Sequence, residues 1–172
     1  PPPPYDVFYK DDPYSGEVAY MDSQIGVLLD ELEKSDLVQN TVIVFTSDHG
    51  EGLGDKGELT HSYFAYNTTI HIPLFIKIPG MDARIMEENV CHVDIFPTVC
   101  DVLGMKIPSH LQGESLISIS EGKKRTKEKI YFESLTPYLT TGWASLTGFI
   151  KSGIKYIDLP IKEVYNLQED MN

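Results

Sequence analysis

Asp48 and His49 stand side by side at the end of an apolar run, Thr41-Val-Ile-Val-Phe45, and a second histidine, His61, follows thirteen residues after Asp48. Carboxylate and imidazole are both strong metal ligands. Together they suit zinc or manganese, and calcium where further oxygens complete the shell. Gly50, Gly52, Gly54 and Gly57 lie between the two histidines, and glycine lets backbone fold closely around a ligand. The chemistry this pattern points to is metal-assisted hydrolysis. Asp48 and His49 would hold the ion, and His61 would act as an acid or as a cation facing an anionic oxygen. The competing reading makes Asp48 a turn cap and the histidines ordinary polar residues. Lys56 reads as a solvated loop cation, His71 as structural, and His92, beside Asp94, as structural or as support for a ligand. His110 lies in a loop and carries no signal.

The elements around this pair set where it would sit. Thr41–Thr46 is nearly all apolar and β-branched, the pattern of a strand covered on both faces. Before it, Glu17–Lys34 has apolar residues at helical spacing (Val18, Met21, Ile25, Leu28, Leu29, Leu32), with Ser15 as N-cap and Ser35-Asp36 as stop. A helix leading into a buried strand is half of a βαβ unit, and ligands at a strand end are where an α/β sheet presents its site. Residues 1–14 read as irregular and extended. A short helix is expected within Ser62–Thr69 and a second apolar strand over Ile70–Ile78. A helix over Val93–Leu103, closed by Gly104, and a loop over 105–128 follow. Lys129–Glu133, Ala144–Ile150, Lys155–Leu159 and Val164–Leu167 read as short strands, with Ser152-Gly153 as a hairpin turn. The fold class expected is α/β, with a domain over 1–128 that carries the metal strand and a small antiparallel sheet over 129–172.

Composition bounds the partners. With 172 residues, 41% of them hydrophobic, the chain is long enough for a folded domain. The formal net charge of −12 disfavours nucleic acid and anionic membrane surfaces as partners. No apolar run approaches bilayer-spanning length. Cys91 and Cys100 read as small buried hydrophobes rather than a disulfide or ligand pair. No cluster of carboxylates precedes Asp48 to complete a metal site, and no activated nucleophile is evident.

At this point the residues resemble a family. Asn40-Thr-Val-Ile-Val-Phe-Thr-Ser-Asp-His-Gly-Glu51 is similar to the metal motif of the sulfatases, in the alkaline phosphatase superfamily. Tyr20-Met-Asp-Ser-Gln-Ile-Gly26 resembles the helix before it. Thr60-His61, Tyr66 and Ile72-Pro73-Leu74 resemble the next block, and His92-Val-Asp-Ile-Phe-Pro-Thr98, Leu111-Gln-Gly-Glu-Ser-Leu116 and Glu163-Val-Tyr-Asn-Leu167 those that follow. The resemblance covers nearly the whole chain and points to the C-terminal portion of such an enzyme. It implies a partial alkaline-phosphatase-like α/β/α sheet followed by the small antiparallel sheet. Asp48 and His49 would be metal ligands, and His61 would stand where many members carry a Lys or His that touches the sulfate or leaving group. The metal implied is calcium, with manganese or zinc as alternatives. The family's nucleophile, a formylglycine made from the Cys of a Cys-x-Pro-x-Arg motif, is expected in an N-terminal part of the same protein, since neither Cys91 nor Cys100 is followed by Pro-x-Arg. The substrate implied is a small-molecule or glycan sulfate ester, or a phosphate ester, and family habit places the enzyme in the periplasm or outside the cell. A phosphodiesterase, phosphonate hydrolase or phospho-group transferase of the same superfamily, and a truncated non-catalytic module, are the alternatives.

Overall fold

The structure, a computed structural model, describes residues 1–170. Met171 and Asn172, the last two residues of the expected 129–172 domain, lie outside the described residues. Two compact units separate. One comprises Pro1–Ile43 and Lys77–Asp82; the other comprises Val44–Ile76 and the chain from Ala83 onward.

The first unit is helical. A short helix α1 (Tyr5–Phe8) precedes the long α2 (Pro13–Lys34), so the opening residues are not extended as expected. The helix starts four residues earlier than the apolar spacing placed it. Asp12 is its N-cap, accepting from the Ser15 backbone N–H at 3.2 Å and hydroxyl at 2.6 Å, and Pro13 takes the first position, where its absent N–H costs nothing. Ser15 is therefore the residue capped rather than the cap. The apolar stripe exists, but Val18, Met21, Val27, Leu28 and Leu29 are exposed. Beyond α2, the Lys77 ammonium donates to the carbonyls of Val38 and Thr41.

Strand β1 (Ile43–Thr46) pairs with β2 (Leu74–Lys77) in a two-stranded sheet. Every β1 residue is half-buried rather than covered on both faces, since only β2 flanks it among the described residues. The expected strand over 70–78 is shorter, because Ile70 belongs to a helical turn, α3 (Asn67–Ile70), which follows the loop from β1, and the strand begins only at Leu74, after Pro73. His71 is thus outside the strand and exposed. Helix α4 (Ile95–Val102) begins from a 3-10 turn at His92–Asp94. The polar stretch after it contains a further helix, α5 (Leu116–Ser120).

The second unit ends in an antiparallel sheet in the order β3 (Ile130–Ser134), β4 (Leu146–Lys151), β5 (Ile154–Asp158) and β6 (Glu163–Asn166), with helix α6 (Thr136–Thr141) between β3 and β4. The β4–β5 turn is Ser152-Gly153, with φ of 50° and 76°, the left-handed backbone a tight hairpin demands. Leu146 and Ile157 on one sheet face close a core with Ala65 and Tyr66, joined by Phe64, Ile70 and Phe132. Lys155 shares that face and is fully buried. Trp143 is mostly exposed, and its ring meets that of Tyr63 in a T-shaped contact at 6.2 Å between centroids. The sheet thus packs on the Phe64–Ile70 segment, directly after His61.

Candidate metal and ester site

Two elements hold the Asp48–His61 loop. At its start, Thr46 in β1 donates to the Pro73 carbonyl at 2.9 Å, and His92 Nε2 lies 2.8 Å from the Ser47 carbonyl. At its end, the core just described fixes Phe64 to Ile70. Between them, the Gly50 N–H donates to the Thr69 carbonyl at 2.8 Å. A Cβ at Gly50 would lie 2.0 Å from the Thr68 carbonyl oxygen, so only glycine lets the chain pass this close after His49. Leu53, Lys56 and Ser62 all have positive φ, a costly backbone for residues with side chains and one that clusters at binding sites. The Ser62 carbonyl accepts from the Ser134 hydroxyl at 2.6 Å, which ties the loop to the end of β3.

The three residues singled out by sequence come together. Asp48 Oδ2 is 3.6 Å from His49 Nε2, and the His49 and His61 rings lie 4.1 Å apart between centroids. The Asp48 carboxyl is open to solvent. The N–H of His49, the Asp48 N–H and the neighbouring imidazole hold it below the ordinary carboxylate range, so it is an anion available to a cation. His49 Nδ1 lies 2.9 Å from the Gly50 carbonyl. Donation there leaves Nε2 with its lone pair outward, the way a carbonyl commonly orients a ligating histidine. This pair fits a divalent cation as part of a ligand set. Among the described residues no three His, Cys, Asp or Glu side chains gather into a metal cluster. His61 Nδ1 lies 3.2 Å from Glu51 Oε2, a contact that engages one ring nitrogen and leaves Nε2 out of it. The other Glu51 oxygen is buried without a hydrogen-bond partner. Asp48 and His49 line a cleft of about 650 Å³ together with Asn67, His71, His92 and Tyr131.

Several groups here escaped sequence reasoning. Glu51 sits inside the motif but gave no sign of orienting His61. His92, read from the sequence as structural or as support for a ligand, grips the backbone one residue before Asp48, a contact the sequence did not announce. Asn67, in the cleft wall, accepts from the buried Lys155 ammonium at 3.2 Å. Asp94 has no exposure and is the hub of the next layer. Its carboxylate accepts from the Cys91 N–H at 2.9 Å, the Glu114 N–H at 2.9 Å, and both terminal nitrogens of Arg125 at 2.7 and 2.9 Å. Burial alone would push Asp94 up, but the Arg125 guanidinium and two backbone donors outweigh it and keep the carboxyl low. Lys56 is an exposed loop cation, as expected, and lies 5.9 Å from the centroid of the Tyr165 ring. Neither cysteine is poised as a nucleophile. Cys100 is buried, and burial beside Asp94 pushes the Cys91 thiol up to about 11. Both are free thiols.

The family model described as Sulfatase matches residues 3–105, and that of N-sulphoglucosamine sulphohydrolase, C-terminal, matches residues 56–171. The chain belongs to the sulfatase family. It is 37% identical over 108 residues to arylsulfatase K of Canis lupus familiaris, covering 62% of this chain and 20% of that protein. It is 26% identical over 162 residues to choline-sulfatase of Rhizobium meliloti (strain 1021), covering 91% of this chain and 31% of that protein. Among solved structures, it superposes on a protein determined in complex with its substrate D-glucosamine-2-N,6-O-disulfate at a TM-score of 0.71, with 29% identity over 92% of this chain and 34% of that one. The phosphonate monoester hydrolase of Agrobacterium radiobacter gives a TM-score of 0.75 and 27% identity over 92% of this chain and 35% of that one. The sulfatase chain therefore has the alkaline-phosphatase-like α/β fold with its small four-stranded C-terminal sheet, as the motifs led us to expect. It spans about a fifth of the length of the arylsulfatase K proteins and about a third of these solved structures.

Proposed function

We propose that the protein carrying this chain hydrolyses sulfuric esters, and that the chain supplies part of the site while sequence outside it supplies the nucleophile, a formylglycine, and the remaining metal ligands. The observation that carries the reading is the meeting of Asp48, His49 and His61 on one glycine-bounded loop at the end of β1. A divalent ion at Asp48 and His49, calcium by preference and manganese or zinc as alternatives, would neutralise charge on ester oxygens. Asp48 contributes an ionised carboxylate and His49 the Nε2 lone pair left by its bond to Gly50. Glu51 holds the His61 ring so that Nε2 can donate to an anionic oxygen or return a proton to the departing one. The substrate is a small-molecule or glycan sulfate ester.

Asp48→Ala in the full-length protein tests this. Aryl sulfate turnover should fall at least about a hundredfold with the fold intact by circular dichroism, since removing a ligand exceeds the loss from disturbing its support. Turnover at the wild-type rate would refute the assignment. A second reading, phosphonate or phosphate ester hydrolysis, has support in the similarity to the phosphonate monoester hydrolase. Competing aryl sulfate and aryl phosphonate substrates separate the two by their kcat/KM ratio. Export to the periplasm or the outside of the cell is part of this proposal. The chain is 32% identical over 106 residues to the extracellular sulfatase SULF-1 homolog of Drosophila melanogaster. No helix among the described residues is long and apolar enough to cross a membrane.

A further inference from the structure

Packing does little to aim the two proposed metal ligands. The Asp48 side chain is 87% exposed and that of His49 45%. The direction of so open a pair depends on how the backbone beneath it is held. After the pair, the Ser47 hydroxyl donates to the His49 carbonyl at 2.5 Å, and the Gly50 N–H donates to the Thr69 carbonyl at 2.8 Å. Before the pair, the Ser47 carbonyl meets His92 Nε2 at 2.8 Å and, more distantly, the Thr46 hydroxyl at 3.3 Å. A carbonyl oxygen only accepts, so His92 Nε2 carries the proton in this contact.

The Ser47 carbonyl and the Asp48 N–H belong to one planar peptide unit. Fixing the first fixes the second, and the Asp48 N–H is one of the donors that hold the Asp48 carboxyl low. His92 is itself exposed but firmly mounted. It opens the 3-10 turn His92–Asp94, and the buried Asp94 carboxylate ties that turn to Cys91, Glu114 and Arg125. One hydrogen bond across 45 residues of sequence therefore links a rigid hub to the peptide that carries Asp48.

We propose that His92 is a positioning residue of the cation site: its Nε2–H grips the Ser47 carbonyl, presets the Asp48–His49 pair and so raises cation affinity without ligating the ion. The inference rests on the hydrolase reading above and deepens it by adding a residue that reading leaves out. Its test is binding, kept separate from turnover. Calorimetry on the metal-free full-length protein follows calcium, with manganese and zinc in parallel. His92→Phe keeps a ring and removes the donor. His92→Gln returns an N–H near the place of Nε2. His92→Phe should weaken binding about tenfold, the lower end of what loss of an outer support costs, and His92→Gln should restore most of it. Both variants should melt near the wild-type temperature, because the ring is exposed and its replacement opens no cavity. Wild-type affinity in His92→Phe overturns the proposal. So does a His92→Gln protein as weak as His92→Phe, since the donated hydrogen bond would then not be what acts. Asp48→Ala separates this proposal from the reading beneath it. If Asp48→Ala abolishes binding while His92→Phe leaves it intact, the site stands and the role of His92 falls. If Asp48→Ala binds as the wild type does, or the wild type binds none of the three ions, both fall. The expected pattern in a protein that hydrolyses neither sulfate nor phosphonate esters supports the role of His92 and refutes the hydrolase reading alone.

Discussion

Asp94 shows how a single buried carboxylate can shape a site it does not touch. It has no exposure, and its five donors among the described residues come from three separated places: Cys91, by N–H and thiol, Glu114 and Arg125. Breaking a buried pair from one side strands the other charge. Arg125→Ala should therefore lower unfolding stability by about 3–5 kcal/mol, measured by urea denaturation, whereas Lys124→Ala nearby should change it little. The same carboxylate quiets Cys91. With its thiol pushed up to about 11 by burial and by Asp94, Cys91 holds almost no thiolate near neutral pH. Native protein should react with iodoacetamide at about pH 8 far more slowly than urea-unfolded protein, followed by mass spectrometry. Equal rates would show that the thiol is not held as described. At the loop, Gly50 makes a comparable point about His49: the carbonyl that orients the imidazole belongs to a residue whose place no side chain could share.

At the scale of elements, what was legible in the sequence was local. The run Thr41–Phe45, the glycines after it and the Ser152-Gly153 turn are neighbours in the chain, so their physics can be read without knowing the fold. The β3–β6 strands fell within two residues of their expected limits for the same reason. Legibility ended where partners are far apart in the chain. The bond between His92 and the Ser47 carbonyl spans 45 residues, and that between Arg125 and Asp94 spans 31, with no periodicity to announce either. Lys155 is the clearest case. Alternation in β5 assigns it to the inner face, yet a lysine there reads as an error until Asn67, Tyr66 and Phe132 are seen around its ammonium. Burial pushes that ammonium down to about 8, with Glu163 opposing the shift. In the unfolded chain the same group keeps its proton up to about 10.4, so above about 8 the unfolded state binds more protons and stability rises with pH. The buried charge is thus a destabilising term, fully present below about pH 8 and relieved between there and about 10.4. Across that interval the wild-type melting temperature should climb relative to that of Lys155→Met. Parallel curves would mean that the ammonium is not what titrates.

At the scale of the molecule, the site's three chain-borne groups lie on one loop while the chain spans about a third of the solved structures it resembles. The proposal that the rest of the site lies elsewhere carries a direct expectation. This chain alone, supplied with calcium or manganese, should turn over no aryl sulfate, while the full-length protein should. Hydrolysis by the isolated chain would mean that Asp48, His49 and His61 suffice. The stretch from Met105 to Gly113 suggests a different use of the architecture. Lys106 there is exposed, and on either side of it the chain is held by contacts that do not depend on the peptide bond between. Asp94 grips Glu114 and Arg125, Thr98 Oγ1 accepts from the Leu116 N–H at 2.9 Å, and Ala65 and Tyr66 pack against Leu146 and Ile157. Cut at Lys106, the two pieces would still recognise one another, so the protein could be made as a split pair. Co-expressed halves that reassemble would then report, by complementation alone, whether the Asp94 hub has formed.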